Sequence, residues 1–233
     1  MIIKQEKSII PACDVNLKEL GRIVKETADI DIISSYKVGF ALAMEVGLPK
    51  ACETIRKFTN KPIIYDHQKA GTDIPDTGKS FMKICKHAGI NAVILFPQAG
   101  VETEKAWIKA AYEENLGVIV GGLMTHKGYT RAEGGYIADE AAIDIYINAM
   151  KLGVKDFVVP GTKPEAVLKI REMLEHEGGI EPVLYSPGLV KQGGDINKML
   201  KATGKRWHAI VGRAIYESLD IKQKVNEMAK LMG

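Results

Sequence analysis

A cluster of ionisable residues occupies positions 66–73 of the sequence. Asp66, Lys69 and Asp73 follow directly on a short apolar run at residues 62–65. Runs of β-branched and aromatic residues are typical of β-strands, so we expect these charges to lie where a strand ends and a loop begins. Carboxylates beside an amine can hold a lysine protonated and direct it at a substrate. A loop of exposed salt bridges is the alternative interpretation, and the cluster by itself does not decide between the two.

The composition indicates a globular protein of ordinary balance. Of the 233 residues, 46% are hydrophobic and 26% are charged, and the formal net charge is +3 at pH 7. The basic residues are spread along the chain and are not interleaved with aromatic ones. A small net charge distributed in this way does not predict nucleic-acid binding.

The cysteines and the hydropathy pattern indicate a cytoplasmic protein. Cys13, Cys52 and Cys85 are an odd number of cysteines, widely spaced and without a pair at metal-binding spacing. That usage is typical of reduced thiols in a reducing compartment. No apolar run approaches the roughly 20 residues that a membrane helix needs, and the first residues lack the apolar stretch of a signal peptide. We therefore expect a cytoplasmic location and no membrane partner.

Eight short apolar runs alternate with amphipathic stretches of helical period, such as the one that carries Leu17, Leu20, Ile23 and Val24. Apolar strands separated by helices indicate a parallel sheet that is covered on both faces. Eight βα units in this length predict an α/β fold of eight parallel strands, a closed (β/α)8 TIM barrel that spans residues 1–233 as a single domain. An open doubly wound sheet is the competing fold, but it usually carries fewer strands. The predicted strands cover residues 8–13, 36–40, 62–65, 91–96, 117–121, 156–160, 182–185 and 208–211.

Polar residues stand at the ends of these predicted strands. In a barrel of this kind, functional groups lie at the carboxyl ends of the strands. The candidates are Asp14 after the first strand, Lys37 in the second, Asp66 and Lys69 after the third, Thr125 after the fifth, Pro187 after the seventh, and Gly212 with Arg213 after the eighth.

The loops after the seventh and eighth strands predict a phosphate site. Residues 187–195 are glycine-rich and lead into a predicted helix near Ile196, while Gly212 and Arg213 open another helix. Backbone N–H groups at a helix start attract phosphate oxygens, Arg213 can hold a phosphate with both arms of its guanidinium, and Gln192 adds an amide donor. A cation at a helix start is unfavourable unless an anion lies there, which favours this site over a glycine-rich turn without a ligand.

These motifs together resemble the orotidine 5'-monophosphate decarboxylase family, and the resemblance runs from Asp14 to Arg213. The central family motif, Asp-x-Lys-x-x-Asp-Ile-Pro-x-Thr, is matched by Asp66, Lys69 and the run Asp73-Ile74-Pro75-Asp76-Thr77. Further family motifs are matched by Lys37-Val38-Gly39, Ser186-Pro187-Gly188, Gln192-Gly193-Gly194-Asp195 and Val211-Gly212-Arg213-Ala214-Ile215.

The spacing of the central motif departs from the family pattern. Two residues, His67 and Gln68, separate Asp66 from Lys69 where the family has one, and three separate Lys69 from Asp73 where the family has two. Residues two apart on a strand share a face and residues three apart do not, so we expect a bulge or an early turn to bring Asp66 and Lys69 together. His67 itself is expected to be a solvated loop residue.

The resemblance implies decarboxylation of orotidine 5'-monophosphate to uridine 5'-monophosphate in pyrimidine biosynthesis, without cofactor or metal. Lys69 would stabilise and then protonate the carbanion at C6, with Asp66 keeping its ammonium charged. Lys37 and Asp73 would complete an alternating network of four charges, and Asp73 and Thr77 would act across the interface of a homodimer. The implied substrate-binding residues are Asp14 at the ribose, Thr125 at the pyrimidine, Pro187 at the departing CO2, and Gln192, Gly212 and Arg213 at the phosphate.

Two other functions are compatible with the same residues. One is a Mg²⁺-dependent lyase or aldolase of sugar phosphates, such as hexulose-phosphate synthase, which shares the Asp-x-Lys-x-x-Asp core. Lys37 at the end of the second strand speaks against it, because an acidic residue would serve a metal better there. The other is a non-catalytic barrel that binds a nucleotide phosphate, and Lys69 with its acidic neighbours speaks against that function.

Overall fold

The structure is a computed structural model that describes residues 2–67, 73–190 and 193–232. Its strands form one closed barrel in which every strand is parallel to both neighbours and the order follows the chain. The predicted fold is therefore confirmed, and the ends of each predicted strand lie within two residues of those observed. The strands are β1 Lys7–Cys13, β2 Tyr36–Gly39, β3 Ile63–Asp66, β4 Ala92–Leu95, β5 Gly117–Gly121, β6 Asp156–Val158, β7 Val183–Ser186 and β8 Trp207–Val211.

Helices on the outside of the barrel connect the strands. The apolar stripe predicted for the first helix is buried at Leu20, Ile23 and Val24, and the Asn16 side chain caps that helix by accepting a hydrogen bond from the Glu19 N–H. None of the helices in the described ranges has the length and apolar content needed to span a bilayer. The helices are α1 Leu17–Thr27, α2 Phe40–Val46, α3 Leu48–Arg56, α4 Gly78–His87, α5 Val101–Glu113, α6 Asp139–Lys151, α7 Pro164–Gly178, α8 Ile196–Thr203, α9 Arg213–Tyr216 and α10 Ile221–Met232.

The strands bury apolar side chains on both faces. Successive residues of a strand point to opposite faces, so Ile9 of β1 belongs to the cluster between the strands and the helices, while Ile10 belongs to a second cluster inside the barrel. Ile64, Ile94 and Ile210 from other strands join Ile10 in the inner cluster. The interior of the barrel is thus a packed core, and it leaves the strand ends as the place for polar chemistry.

The interior near the amino-terminal strand ends holds a neutral imidazole. Nδ1 of His208 is hydrogen-bonded to the Ser8 hydroxyl (2.8 Å), and the neighbouring Tyr185 donates to Oδ1 of Asp156 (2.8 Å). Burial, with a smaller contribution from the charge of Arg206, lowers the pKa of His208 to about 3. The imidazole is therefore uncharged near pH 7.

Gly121 of β5 leaves space inside the barrel for Phe96 and Val158, so a methyl group added at this position should destabilise the fold. A methyl on Gly121 of β5 would lie 2.3 Å from Phe96 and 2.5 Å from Val158. Contacts this short force the core to shift, so we expect Gly121→Ala to lower the free energy of unfolding by about 1–3 kcal/mol. Urea unfolding followed by circular dichroism measures the change.

Gly21→Ala in α1 is the matched control for that variant. Its methyl would meet nothing nearer than Thr54 at 3.8 Å, and it removes a glycine from a helix interior. We expect it to raise stability by up to about 1 kcal/mol. Equal stability of the two variants would contradict the packing described for Gly121.

Candidate active site

Three charged side chains meet at the carboxyl end of the barrel. Nζ of Lys37 on β2 lies 3.2 Å from Oδ2 of Asp66, the last residue of β3, and 3.4 Å from Oδ1 of Asp14, which follows β1. The strand register brings them together, because Lys37 lies opposite Ala12 of β1 while Asp66 lies opposite Gly39 of β2. The fold thus joins three of the predicted site residues, which are far apart in the sequence.

The Lys37 ammonium is buried and nevertheless charged. The exposed fraction of its side chain is 5%, compared with 7% for Asp66 and 36% for Asp14. Burial alone would lower the pKa of Lys37, but the charges of Asp66 and Asp14 and their hydrogen bonds outweigh burial, and the pKa is raised. Removing such charges from water costs free energy that an apolar residue would not cost, so their place at the barrel mouth favours a role in chemistry over one in stability.

An aromatic cluster fixes the chain where β3 ends. The Tyr65 hydroxyl is hydrogen-bonded to Nδ1 of His67. Phe81 on α4 packs against both rings, with centroid distances of 6.0 Å to Tyr65 and 6.2 Å to His67. The expectation that His67 is a solvated loop residue is therefore wrong, because its ring is half-buried against this cluster.

Residues 68–72, and with them the predicted catalytic Lys69, lie outside the described residues. The chain is described again from Asp73, where the rest of the motif is held against α5. The Thr103 hydroxyl donates to the Asp73 carbonyl (3.0 Å) and Nε1 of Trp107 donates to the Ile74 carbonyl (3.0 Å). Gly78 allows this close approach, since a methyl there would lie 2.8 Å from the Trp107 ring.

The anchored segment presents its side chains to solvent in this chain. Residues 73–76 are exposed and Thr77 is half-exposed, with its hydroxyl donating to the Ile74 carbonyl (2.8 Å). Asp73 and Thr77 were predicted from the sequence, whereas the two anchors, Thr103 and Trp107, were not. Their contacts join positions about thirty residues apart, and no local pattern signals such a contact.

The ends of β5 and β6 are tied to each other around Thr125. Thr125 is half-buried in the loop after β5, and its carbonyl accepts a hydrogen bond from the Thr162 hydroxyl in the loop after β6 (2.9 Å). Tyr146 of α6 strengthens the same rim, since its hydroxyl donates to the Val158 carbonyl (2.9 Å) and accepts from the Leu123 N–H (3.1 Å). Neither Thr162 nor Tyr146 was identified from the sequence.

The glycine-rich loop after β7 is closely packed around Pro187, which is half-buried. The Gly161 N–H donates to the Pro187 carbonyl (2.9 Å), and the Gly194 N–H donates to the Gly188 carbonyl (3.1 Å). A methyl on Gly194 would lie within 2.7 Å of both the Gly161 and the Gly188 carbonyl oxygens, so this position requires glycine. Gln192 lies outside the described residues.

The helix start after this loop is already capped. Oδ1 of Asp195 accepts hydrogen bonds from the N–H groups of Asn197 (2.7 Å) and Lys198 (3.2 Å) at the beginning of α8. The N–H groups of Asn197 and Lys198 are therefore not available to bind a phosphate. Of the predicted phosphate ligands, Gln192 and the residues at the end of β8 remain as candidates. Asp195, which matches the last residue of a family motif, therefore acts here as a helix cap.

The end of β8 places Gly212 and Arg213 beside β1. Arg213 is exposed and begins α9, and Gly212 precedes it without a side-chain cap. The ring of Tyr216 lies 3.5 Å from the place that a methyl on Gly212 would take. Burial raises the pKa of Tyr216, and Asp14 raises it further while Arg213 and Lys37 lower it. The Tyr216 hydroxyl thus lies in the electrostatic field of both the charged cluster and Arg213. Tyr216 was not predicted from the sequence.

The sequence matches a known family over nearly the whole chain. The sequence profile of the Orotidine 5'-phosphate decarboxylase / HUMPS family matches residues 7–228. The chain belongs to this family. The orotidine 5'-phosphate decarboxylase of Methanocaldococcus jannaschii is 31% identical over 221 residues, which cover 94% of this chain and 96% of that protein. That of Methanococcoides burtonii is 33% identical over 220 residues, 93% of each chain.

Solved structures of the Orotidine 5'-phosphate decarboxylase / HUMPS family share the barrel. The crystal structure of orotidine 5'-monophosphate decarboxylase from Methanocaldococcus jannaschii complexed with the inhibitor BMP superposes with a TM-score of 0.84 at 27% identity, covering 98% of this chain and 100% of that chain. The enzyme from Pyrococcus horikoshii OT3 gives a TM-score of 0.78 at 25% identity, covering 96% and 98%. The family resemblance inferred from the motifs is therefore confirmed.

Replacing Asp66 with asparagine tests the electrostatics of the cluster. Asp66→Asn keeps the shape of the side chain and removes the charge that raises the Lys37 pKa most. Because burial of the ammonium remains, we expect the pKa of Lys37 to fall. A ¹³C NMR titration of the Lys37 Cε measures it in the variant and in the unmodified protein.

Asp14→Asn is the matched control, since Asp14 is the more distant and more exposed partner of Lys37. We expect it to lower the Lys37 pKa less than Asp66→Asn does. Equal shifts in the two variants, or none in Asp66→Asn, would show that Asp66 does not govern the charge on Lys37.

Proposed function

We propose that this chain catalyses the decarboxylation of orotidine 5'-monophosphate to uridine 5'-monophosphate, a step of pyrimidine biosynthesis. The observation that carries the proposal is the buried ammonium of Lys37, held between Asp66 and Asp14 at the carboxyl end of a barrel of this family. The match to orotidine 5'-phosphate decarboxylases over more than nine-tenths of the chain supports the same substrate.

The chemistry requires a cation beside the reacting carbon. When the bond between C6 of the orotate ring and its carboxylate breaks, CO2 leaves and the electron pair stays on C6. An ammonium next to C6 stabilises this carbanion and then donates a proton, so that a C–H bond replaces the C–C bond without a cofactor. We assign this role to Lys69, which follows Asp66 by three residues in the sequence.

The observed cluster supplies the electrostatic support for such a lysine. Asp66 raises the pKa of Lys37, and we expect it to act on Lys69 in the same way. Lys37 in turn holds the Asp66 carboxylate in place from β2 through a contact of 3.2 Å. In this assignment Asp14 binds a ribose hydroxyl, Thr125 binds the pyrimidine, and the other substrate contacts come from Pro187, Gln192, Gly212 and Arg213.

The phosphate group is assigned to the end of β8. Because β8 pairs with β1 in the closed barrel, Gly212 and Arg213 lie near the strand that leads to Asp14. Arg213 is exposed and offers a planar guanidinium that matches phosphate geometry, with Gln192 as the second donor. The binding energy of this remote group can be used to position the ring at the reacting lysine.

We further infer that two copies of the chain form a homodimer in which Asp73 and Thr77 serve the partner's site. Three large apolar side chains are exposed in the segments that follow β2 and β3, with exposed fractions of 42% for Phe40, 80% for Met44 and 57% for Ile74. Phe40 and Met44 lie four residues apart on α2 and therefore on the same face of the helix. Exposed apolar side chains of this kind are typical of a surface that another protein covers. Hydrogen bonds from Thr103 and Trp107 hold the backbone at Asp73 and Ile74 against α5, while the side chains of residues 73–76 remain exposed.

The alternative function is a Mg²⁺-dependent lyase or aldolase of sugar phosphates. It has to be weighed because the matching family is described as including the HUMPS group beside the decarboxylases. In the part of the chain that the structure describes, no three His, Cys, Asp or Glu side chains are grouped as metal ligands. Lys37 also places a positive charge between Asp14 and Asp66, where a divalent cation would otherwise be attracted.

Removing the assigned ammonium tests the proposal. We expect Lys69→Ala to reduce turnover of orotidine 5'-monophosphate by about 10³-fold or more, since it removes both the charge and the proton donor. Loss of orotate absorbance measures turnover, and calorimetry with uridine 5'-monophosphate measures binding, which we expect to be retained. EDTA should leave the unmodified protein fully active.

Lys79→Ala in α4 is the control, because it removes an exposed lysine of the same size. Its turnover should equal that of the unmodified protein. Decarboxylation that persists in Lys69→Ala would refute the role of Lys69. Absence of decarboxylation by the unmodified protein, together with turnover of a hexulose phosphate that EDTA abolishes, would favour the metal-dependent alternative.

Mixing two inactive variants tests the shared site. If Asp73 serves the partner's Lys69, then a heterodimer of Lys69→Ala with Asp73→Ala contains one site with neither substitution. Random exchange of subunits should therefore restore about a quarter of the original activity from two nearly inactive proteins. The activity is measured after the two variants unfold and refold together.

The same variants refolded separately and then combined on ice, without exchange, provide the control. A second control mixes the unmodified protein with a double variant that carries both substitutions. No functional site can be rebuilt from two defective chains in that mixture, so exchange of subunits should not raise the activity. Failure of the exchanged mixture to exceed the separately refolded one would place both residues in a site built from a single chain.

A further inference from the structure

A cavity lies away from the charged cluster, between the outer helices α5 and α6. Its volume is about 230 Å³, which is several times the roughly 30 Å³ that a water molecule occupies in the liquid. It is smaller than the pockets that hold drug-sized ligands, which start at about 300 Å³. The size therefore suits a ligand of a few heavy atoms. The lining includes Pro97, Gln98, Glu104, Ile137, Asp144, Ile145 and Asn148.

The wall of this cavity contains a buried carboxylate that the fold leaves incompletely paired. Glu104 of α5 is 1% exposed, and within the described residues its Oε1 has no hydrogen-bond partner. Burial raises the pKa of Glu104 to about 7, and hydrogen bonding with Asn148 offsets part of that rise. Burial disfavours the ionised form of Glu104 unless it is paired, so a positively charged group in the cavity would stabilise the carboxylate.

The lining determines the class of ligand. Glu104 and Asp144 are acidic and the described lining contains no basic residue, so the cavity favours a cation over an anion. A hard metal ion prefers about six oxygen ligands, whereas much of this wall is apolar. An organic cation with a short hydrocarbon stem satisfies both parts of the lining.

We propose that this cavity is a binding site for a small alkylammonium or alkylguanidinium ion. In the bound state the charged head pairs with the Glu104 carboxylate, and the stem lies along Pro97, Ile137 and Ile145. This site is separate from the cluster of Lys37 and Asp66, and its occupancy does not depend on decarboxylation.

The experiment uses n-butylammonium chloride and the full chain at pH 8, with binding measured by NMR titration of the Asn148 side-chain amide. We expect saturable binding with a Kd on the order of 1–10 mM, the range open to a ligand of so few atoms. 1-Butanol has the same stem without the charge and should bind at least ten-fold more weakly. Absence of saturation by n-butylammonium, or equal binding of 1-butanol, would overturn the proposal.

Two variants distinguish a role of the Glu104 charge in ligand binding from a general effect of substitutions in α5. Glu104→Gln keeps the shape of the side chain and should weaken n-butylammonium binding at least ten-fold. Glu102→Gln makes the same chemical change at an exposed position of α5 and should leave binding unchanged. Unaltered affinity in Glu104→Gln would overturn the assignment.

A third variant keeps the carboxylate and fills the space. Ala141 of α6 lines the cavity, so Ala141→Leu should also weaken binding while Glu104 is intact. Thermal unfolding of each variant verifies that it is folded. Full affinity in Ala141→Leu would place the ligand elsewhere and would refute the site.

The pH dependence gives a further check on the ion pair. Asp144 of α6 is the other acidic group in the described lining, and it is exposed. The ligand itself remains protonated, as an alkyl amine with a pKa near that of lysine, about 10.4. Binding that requires the Glu104 carboxylate should strengthen about ten-fold from pH 6 to pH 8, because the fraction ionised rises by that factor around a pKa of about 7. Equal affinity at both pH values would contradict the role of Glu104.

Discussion

The contacts of the Lys37 ammonium with Asp66 and Asp14 are the interaction on which the rest of the site depends. They join three consecutive strands, β1 to β3, at one end of a closed barrel. A shift of one residue in the register of one strand would move its charged side chain to the outer face of the barrel. The remaining charges would then be buried without an ion-pair partner. The positions of the charges therefore follow from barrel closure as much as from the residues themselves.

The two ends of the barrel treat polar groups differently, and the difference explains where chemistry is possible. At the amino-terminal end, burial leaves His208 neutral and bonded to Ser8. At the carboxyl end, the carboxylates overcome the same burial and keep Lys37 charged. A preformed charge can support a developing carbanion with little reorganisation, which a neutral hydrogen-bonded pair cannot do. The two ends of the barrel thus differ in the charge of their buried basic side chains, which is neutral for His208 and positive for Lys37.

Local patterns predicted the fold well because each strand carries its own signal. The alternation of short apolar runs with helical stretches was enough to predict all eight strands and the closed barrel. Lys37 and Asp66 were identified as candidates because each stands at or near a strand end, but their contact depends on the register between β2 and β3. Trp107, Thr162 and Tyr216 were missed, since each acts through a partner distant in the sequence or through the field of several groups.

The changed spacing of the central motif is best understood from the two points that flank it. On one side, the aromatic cluster of Tyr65, His67 and Phe81 fixes the chain just after Asp66. On the other, α5 holds the Asp73 carbonyl through Thr103. Neither set of contacts depends on how many residues lie between them, so Asp66 and Asp73 are positioned by the barrel and by α5. A longer connection between Asp66 and Asp73 is therefore compatible with both of these anchors.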